Sequence, residues 1–192
     1  MLLDDLNERV SVCKLCDLCK ERTNAVPGAG NENSDVMFIG EGPGKNEDLQ
    51  GLPFVGAAGK FLDKMLNSIG MERKDIYIAN VVKCRPPSNR DPLPAEVKAC
   101  WPYLEEQIKL IKPRLIVTLG KHSMQRFLPD LKISEAHGEA RVADGIWQKK
   151  QVFLPLYHPA AALYNPASRD VHFEDFKKIP LTLNNLKEYA TP

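Results

Sequence analysis

The sequence predicts an α/β fold of three layers, α/β/α, built on a central, mainly parallel four-stranded sheet. Three observations carry that expectation. Four short runs, Val36 to Ile39, Ile76 to Val82, Leu115 to Gly120 and Val152 to Tyr157, are almost continuously apolar instead of alternating, the pattern of strands covered on both faces. Segments with helical spacing lie between them, as parallel crossovers require. Polar residues stand at or near the ends of these runs, namely Glu41, Asn80, Lys121 with His122, and His158, and in such folds ligands bind beyond the carboxyl ends of the strands.

Taken in order, Leu3, Leu6 and Val10 give residues 3 to 11 a helical apolar face that leads into Cys13-x-x-Cys16-x-x-Cys19. A turn-rich stretch (Pro27, Gly28, Gly30, Asn31, Asn33) precedes the first strand. Phe61, Leu62, Met65, Leu66 and Ile69 define the first crossover helix, with Gly70 as its stop. The second strand carries one amide, Asn80, and runs into Lys83-Cys84-Arg85-Pro86-Pro87; the Pro-rich loop continues to Pro94. The next helix is placed from Pro102 to Ile111, because Pro102 has no N–H to donate to an earlier turn. A short helix near His122 to Phe127 follows the third strand, residues 130 to 150 are polar and poorly periodic, and helices from Ala160 to Leu186 close the chain.

With 192 residues, 43% hydrophobic and 27% charged, the chain has material for one well-buried core, so one domain over residues 1–192 is expected. A net charge of +1 supplies no global basic field, so a nucleic-acid partner must be held by a local patch. No segment approaches the ~20 apolar residues of a membrane span, and Met1-Leu2-Leu3 runs straight into Asp4-Asp5, unlike a signal peptide. A cytoplasmic protein with no membrane contact is expected. Five cysteines, an odd number, argue against a disulfide framework there and favour metal ligation.

Two stretches carry chemistry. The loop Gly40 to Gly59, GEGPGKNEDLQGLPFVGAAG, sets Glu41, Glu47 and Asp48 beside Pro53-Phe54-Val55. It is no P-loop, since Lys45 and Lys60 have Ile39 and Phe54 where the first glycine belongs, and its glycine spacing does not fit a dinucleotide fingerprint. Close backbone approach, carboxylates and an aromatic suit an uncharged planar ligand. The second stretch is His158-Pro159-Ala160-Ala161-Ala162-Leu163 at the end of the fourth strand, which places an imidazole on the same rim. Separately, Cys13, Cys16, Cys84 and Cys100 supply four thiolates for a tetrahedral zinc or a [4Fe-4S] cluster, and spacing alone lets Cys19 replace one of them.

The combination GEGPGKNED, GLPFVG, NVVKCRPPSNR, the four-cysteine spacing and HPAAA resembles family 4 uracil-DNA glycosylases, the iron-sulfur branch of that superfamily, from Cys13 to about Arg169. The resemblance implies a monomeric repair enzyme acting on uracil in single- or double-stranded DNA, with a [4Fe-4S] cluster on Cys13, Cys16, Cys84 and Cys100 that ties in the N-terminal segment, and with Cys19 free. Uracil would be flipped into a pocket formed with Gly40, Glu41 and Gly42. Phe54 would stack on it, Asn80 would read N3–H and O4, and His158 would bond O2. Family 1 enzymes carry a water-activating aspartate where this sequence has Gly42, so Glu41 becomes the first candidate for that role and Glu47, near C5 of uracil, the second. Lys83, Arg85 and Arg90 around the Cys84 loop, Leu163 as a wedge and Arg169 on a phosphate are the expected DNA contacts. The rival class is a non-catalytic iron-sulfur or zinc protein, for electron transfer or nucleic-acid binding, which needs the cysteines but not Phe54, Asn80 and His158.

Overall fold

The computed structural model describes residues 2–189. Its elements are α1 (Leu3–Ser11), β1 (Ala29–Gly30), β2 (Val36–Gly40), α2 (Lys45–Gln50), α3 (Ala57–Ser68), β3 (Tyr77–Asn80), α4 (Pro94–Ile111), β4 (Leu115–Leu119), α5 (Lys121–Met124), α6 (Ile133–Ala136), β5 (Arg141–Asp144), β6 (Lys150–Leu156), α7 (Ala161–Tyr164), α8 (Arg169–Asn184) and α9 (Leu186–Tyr189). The sheet has six strands in the order β1-β3-β2-β4-β6-β5, not four. The inner four, β3, β2, β4 and β6, are parallel and are the four apolar runs of the sequence. The two additions are antiparallel edges. β1 is only two residues long, and β5 alternates between half-buried and exposed positions. Edge strands covered on one side have no continuous apolar run to announce them.

Within the all-apolar strands, successive side chains enter different cores. Met37, Ile39, Tyr77, Ala79, Ile116 and Phe153 pack with Leu6 and Val10 of α1 and Leu104 and Ile108 of α4. Val36, Phe38, Ile78, Val117 and Leu154 pack with Phe61, Leu62, Met65 and Leu66 of α3 and Phe176 and Ile179 of α8. This is the period of two that a pleated strand imposes, and it gives the three layers expected. The helix expected from Pro102 begins instead at Pro94 and passes through Pro102. Proline suits the first turn, where the N–H has no intrahelical partner. Pro102 itself is exposed, so the carbonyl it leaves unpaired faces water and the helix continues. Gly70 ends α3 at φ 74°, a backbone geometry that glycine adopts freely.

Candidate active site

The carboxyl ends of β2 and β3 form the floor of a cavity of about 320 Å³, lined among others by Glu41, Gly42, Glu47, Phe54, Asn80 and His158. Gly40 pairs directly with Asn80 across the two strands. A Cβ on Gly40 would collide with Asn80 Oδ1 and come within 2.9 Å of the Phe54 ring, so only glycine leaves both groups room. On Gly42 a Cβ would lie 2.8 Å from Val82 Cγ2, which means that an aspartate here would require this wall to move.

Phe54 is held in a left-handed backbone conformation, φ 52°, which costs a bulky residue on the order of 1–3 kcal/mol. Its neighbours fix it. Arg73 donates to the carbonyls of Pro53 (3.0 Å) and Phe54, while Asp63 holds the Arg73 guanidinium at 2.6 Å. Glu47 Oε1 accepts the N–H groups of Val55 (2.9 Å) and Gly56 (2.8 Å). Gly59 lets α3 pass against the Phe54 carbonyl, a space that a Cβ would fill. Glu47 is therefore both a pocket wall and the clamp of the Phe54 loop. Asp48, read from the sequence as a loop carboxylate, is buried and accepts the Thr23 N–H at 2.9 and 3.1 Å.

Asn80 is buried, and its Oδ1 has no partner among the described residues. Its own carbonyl takes a 2.8 Å bond from Lys83 Nζ, which also donates to Gln107 Oε1 at 2.6 Å. An acceptor kept out of water with nothing to accept costs about 1–3 kcal/mol, and that is the signature of a group awaiting a ligand donor. His158 faces the same cavity, with its ring centroid 5.6 Å from that of Phe54. The Ala160 N–H donates to His158 Nδ1 at 3.1 Å, so the ring proton is on Nε2. Burial lowers the His158 pKa to about 4, with Glu47 opposing the shift and His172 adding to it. At neutral pH this imidazole is an uncharged Nε2–H donor. Its backbone is held by His172 Nε2, 3.3 Å from the His158 carbonyl, and Gly120, at φ 89°, gives its Cβ room.

Glu41 follows β2 and is half-buried; its Oε1 is buried with no hydrogen-bond partner among the described residues. Burial raises its pKa, opposed first by His122, then by Lys121 and Arg126, while Asp91 adds to the rise. The sequence places His122 on the rim without a partner and gives no sign of Asp91, because their proximity to Glu41 is created by folding. The Pro-rich loop also brings Pro86, Asn89 and Pro92 to the cavity wall. Ser88 and Asn89 both have positive φ there, with a 3-10 turn at Pro87–Asn89.

All five cysteines line a second cavity on the other side of β3, together with Val10, Arg22 and Tyr103. Burial raises the thiol pKa of Cys16 and Cys84 and takes that of Cys100 to about 11. Arg22 Nη1 donates to Cys84 Sγ at 2.9 Å, and the Lys83 N–H donates to Cys100 Sγ at 3.2 Å. Such N–H···S bonds are the outer supports a thiolate-ligated metal group uses.

Lys83 corrects an expectation. It is fully buried and turned towards Asn80 and Gln107, with a pKa lowered by burial to about 8, so it makes no surface contact with a phosphate. Arg85 donates to Asn89 Oδ1 at 2.7 Å, and Arg90 makes a two-bond ion pair with Glu96 at 2.6 and 2.9 Å. Leu163 and Arg169 are exposed, and beside them Tyr164 is 89% exposed.

The family model described as the uracil DNA glycosylase superfamily matches residues 27–179. Among curated proteins, a type-4 uracil-DNA glycosylase of Archaeoglobus fulgidus is 50% identical over 182 residues, 92% of this chain and 91% of that protein. Those of Saccharolobus solfataricus and Thermotoga maritima are 48% and 42% identical, covering 95% and 92% of this chain and 90% and 92% of theirs. Glu41, the Asn80 acceptor and the His158 donor thus converge on one cavity within the matched span, and the chain belongs to the uracil DNA glycosylase superfamily, on its type-4 branch.

Proposed function

We propose that the chain is a monofunctional uracil-DNA glycosylase, which draws a uracil nucleotide out of DNA into the Glu41–Phe54–Asn80–His158 cavity and hydrolyses its N-glycosidic bond, leaving an abasic site. The observation that carries this reading is the buried, unpartnered Oδ1 of Asn80. It suits the N3–H of uracil, while the amide NH₂ suits O4. Cytosine offers an acceptor at N3 and a donor at N4, so the wrong base leaves buried groups unpaired and is rejected. Phe54 supplies the stacking face, and Glu47 stands where it excludes the methyl group of thymine.

His158 donates its Nε2–H to O2, where negative charge builds as the bond to the sugar breaks. A fixed neutral donor gains strength there without itself losing a proton, a contribution on the order of 3 kcal/mol. Glu41 orients the water that attacks the sugar carbon and steadies the positive charge developing on the ring. Gly42 offers no side chain for that task, and Glu47 Oε1 is already shared between two backbone donors. Arg85, Arg90, Leu163 and Arg169 are the proposed DNA contacts.

We assign the cysteine cavity to a [4Fe-4S] cluster on Cys13, Cys16, Cys84 and Cys100. The support is the convergence of the thiols on one cavity with N–H···S donors from Arg22 to Cys84 and from the Lys83 backbone to Cys100. When bound it cross-links the N-terminal segment to α4 and the Cys84 loop; the hydrolysis itself transfers no electrons. A monomeric, cytoplasmic enzyme of one domain completes the proposal. No described helix is long and apolar enough to cross a membrane.

The test is base release from single-stranded oligonucleotides carrying U, T, C or hypoxanthine, read as alkali-labile sites. Cleavage at U with none at T or C is expected. Iron-loaded protein that releases no uracil would overturn the reading.

A further inference from the structure

His122 and Asp91 stand beside Glu41, outside the cavity lining. One carboxylate oxygen from each acid and one ring nitrogen of His122 lie within 4.8 Å of one another, and His122 Nε2 is 3.2 Å from Asp91 Oδ2. Two separate anchors bring them there. α5 is pinned to the end of β2 by Ser123 Oγ, which donates to the Ile39 carbonyl at 2.5 Å, so His122 is fixed against the strand that Glu41 follows. Asp91 follows Arg90, which is clamped by Glu96 and also donates to the Asp91 carbonyl at 2.9 Å.

We propose that Asp91 and His122 are a positioning pair for Glu41: Asp91 turns the imidazole, and His122, when protonated, keeps the adjoining Glu41 carboxylate ionised and aimed at the water. The inference rests on Glu41 being the water-orienting group. A half-buried carboxylate needs nearby positive charge to stay ionised at moderately acidic pH. Around Glu41 the charged groups are His122, Lys121 and Arg126 from α5 and the turn after it, and Asp91 from the Pro-rich loop; of the cations, His122 opposes the effect of burial most. Gly42 offers no side chain to Glu41, and a Cβ there would lie 2.8 Å from Val82 Cγ2, so the support for Glu41 comes from the Asp91–His122 side.

The test is single-turnover uracil excision by the iron-loaded protein between about pH 5 and 9, with EDTA present and absent. In His122→Gln the acid limb of the rate should move to higher pH by about one unit, with DNA affinity unchanged and most of the alkaline rate kept. His122→Lys should restore the limb. Asp91→Asn, which still offers the imidazole an acceptor, should hold more of the neutral-pH rate than Asp91→Ala. An acid limb identical in wild type and His122→Gln, alongside an inactive Glu41→Gln, overturns the pair and leaves the glycosylase reading intact. A fully active Glu41→Gln overturns the pair together with the role of Glu41, again without touching the glycosylase reading. Loss of the wild-type rate in EDTA with the cluster intact overturns the pair in favour of a cation held by the same three groups. Absence of uracil release by the wild type defeats both proposals.

Discussion

On the proposed reading Asn80 recognises the base through one carboxamide, so its chemistry is testable by a change of a single atom. Asn80→Asp removes the donor to O4 and adds an acceptor that cytosine N4–H₂ can use. Uracil excision should fall by on the order of 10²-fold or more, and cytosine release should become measurable on the same oligonucleotides. His158→Ala should lower the single-turnover rate by about 10²-fold with little change in DNA affinity, because the bond to O2 strengthens only towards the transition state. Glu41 makes a prediction of opposite sign for stability. Its folded-state pKa is raised from the ordinary 4.5. Its folded-state preference for the protonated form is therefore fully present below that value and is lost as pH rises through the folded pKa. Glu41→Gln should raise the Tm at pH 7 while slowing excision, and the gain should shrink as pH falls from the raised folded-state value to the ordinary 4.5 and be absent below it. A Tm difference independent of pH would contradict the assigned cause. For His158, with a pKa lowered from 6.5 to about 4, the unfolded chain binds the extra proton, so stability should decline as pH falls from 6.5 towards 4.

At the scale of elements, α1 is held to α4 by its apolar stripe and by Arg9, whose guanidinium makes bonds of 3.0 and 2.6 Å to Glu106. The segment after it, with Cys13, Cys16 and Cys19, is mostly half-buried or exposed and is irregular apart from the short 3-10 turn Asp17–Lys20. Few backbone bonds secure it, so on the proposed cluster assignment the metal group would supply much of its order. Removing iron with chelator and reductant should therefore make trypsin cut first at Lys14, Lys20 and Arg22, while the parallel strands stay protected. Mass spectrometry of the early fragments checks this, and an unchanged cleavage order would refute the tethering role. The Arg22 bonds to Cys84 and to the Ser11 carbonyl tie this segment to the Cys84 loop and to the end of α1.

For the whole molecule, the proposed ligand set spans residues 13 to 100, so loss of the cluster should release the N-terminal segment from α4 and the Cys84 loop and lower the stability of the whole chain. Purified protein should be brown. Cys19→Ser should keep the colour and iron content, and Cys84→Ser should lose both along with part of the folded stability. A colourless preparation with stoichiometric zinc would reverse the assignment. The net charge of +1 leaves DNA attraction, on the proposed reading, to local cations, of which Arg85 is half-buried and Arg169 exposed.

The sequence by itself determined the four inner strands, since runs buried on both faces must be apolar at every position. It also made Glu41, Asn80 and His158 legible, because polar groups in or just after such runs have no reason in packing to be there, while Phe54 stood out as the aromatic of the Gly-rich loop. It could not reveal β1 and β5, whose one-sided cover leaves no run, or the start of α4 at Pro94, where exposure of Pro102 decides that the helix survives. Lys83 looked like a surface cation beside Arg85, and only the folded chain turns it inward to Asn80 and Gln107. Tertiary structure alone joined Asp91 and His122 to Glu41 and fixed the tautomer of His158 through the Ala160 N–H. Pattern records which residues are buried; the hydrogen-bond partner of a buried group comes from chain segments whose meeting no local pattern encodes.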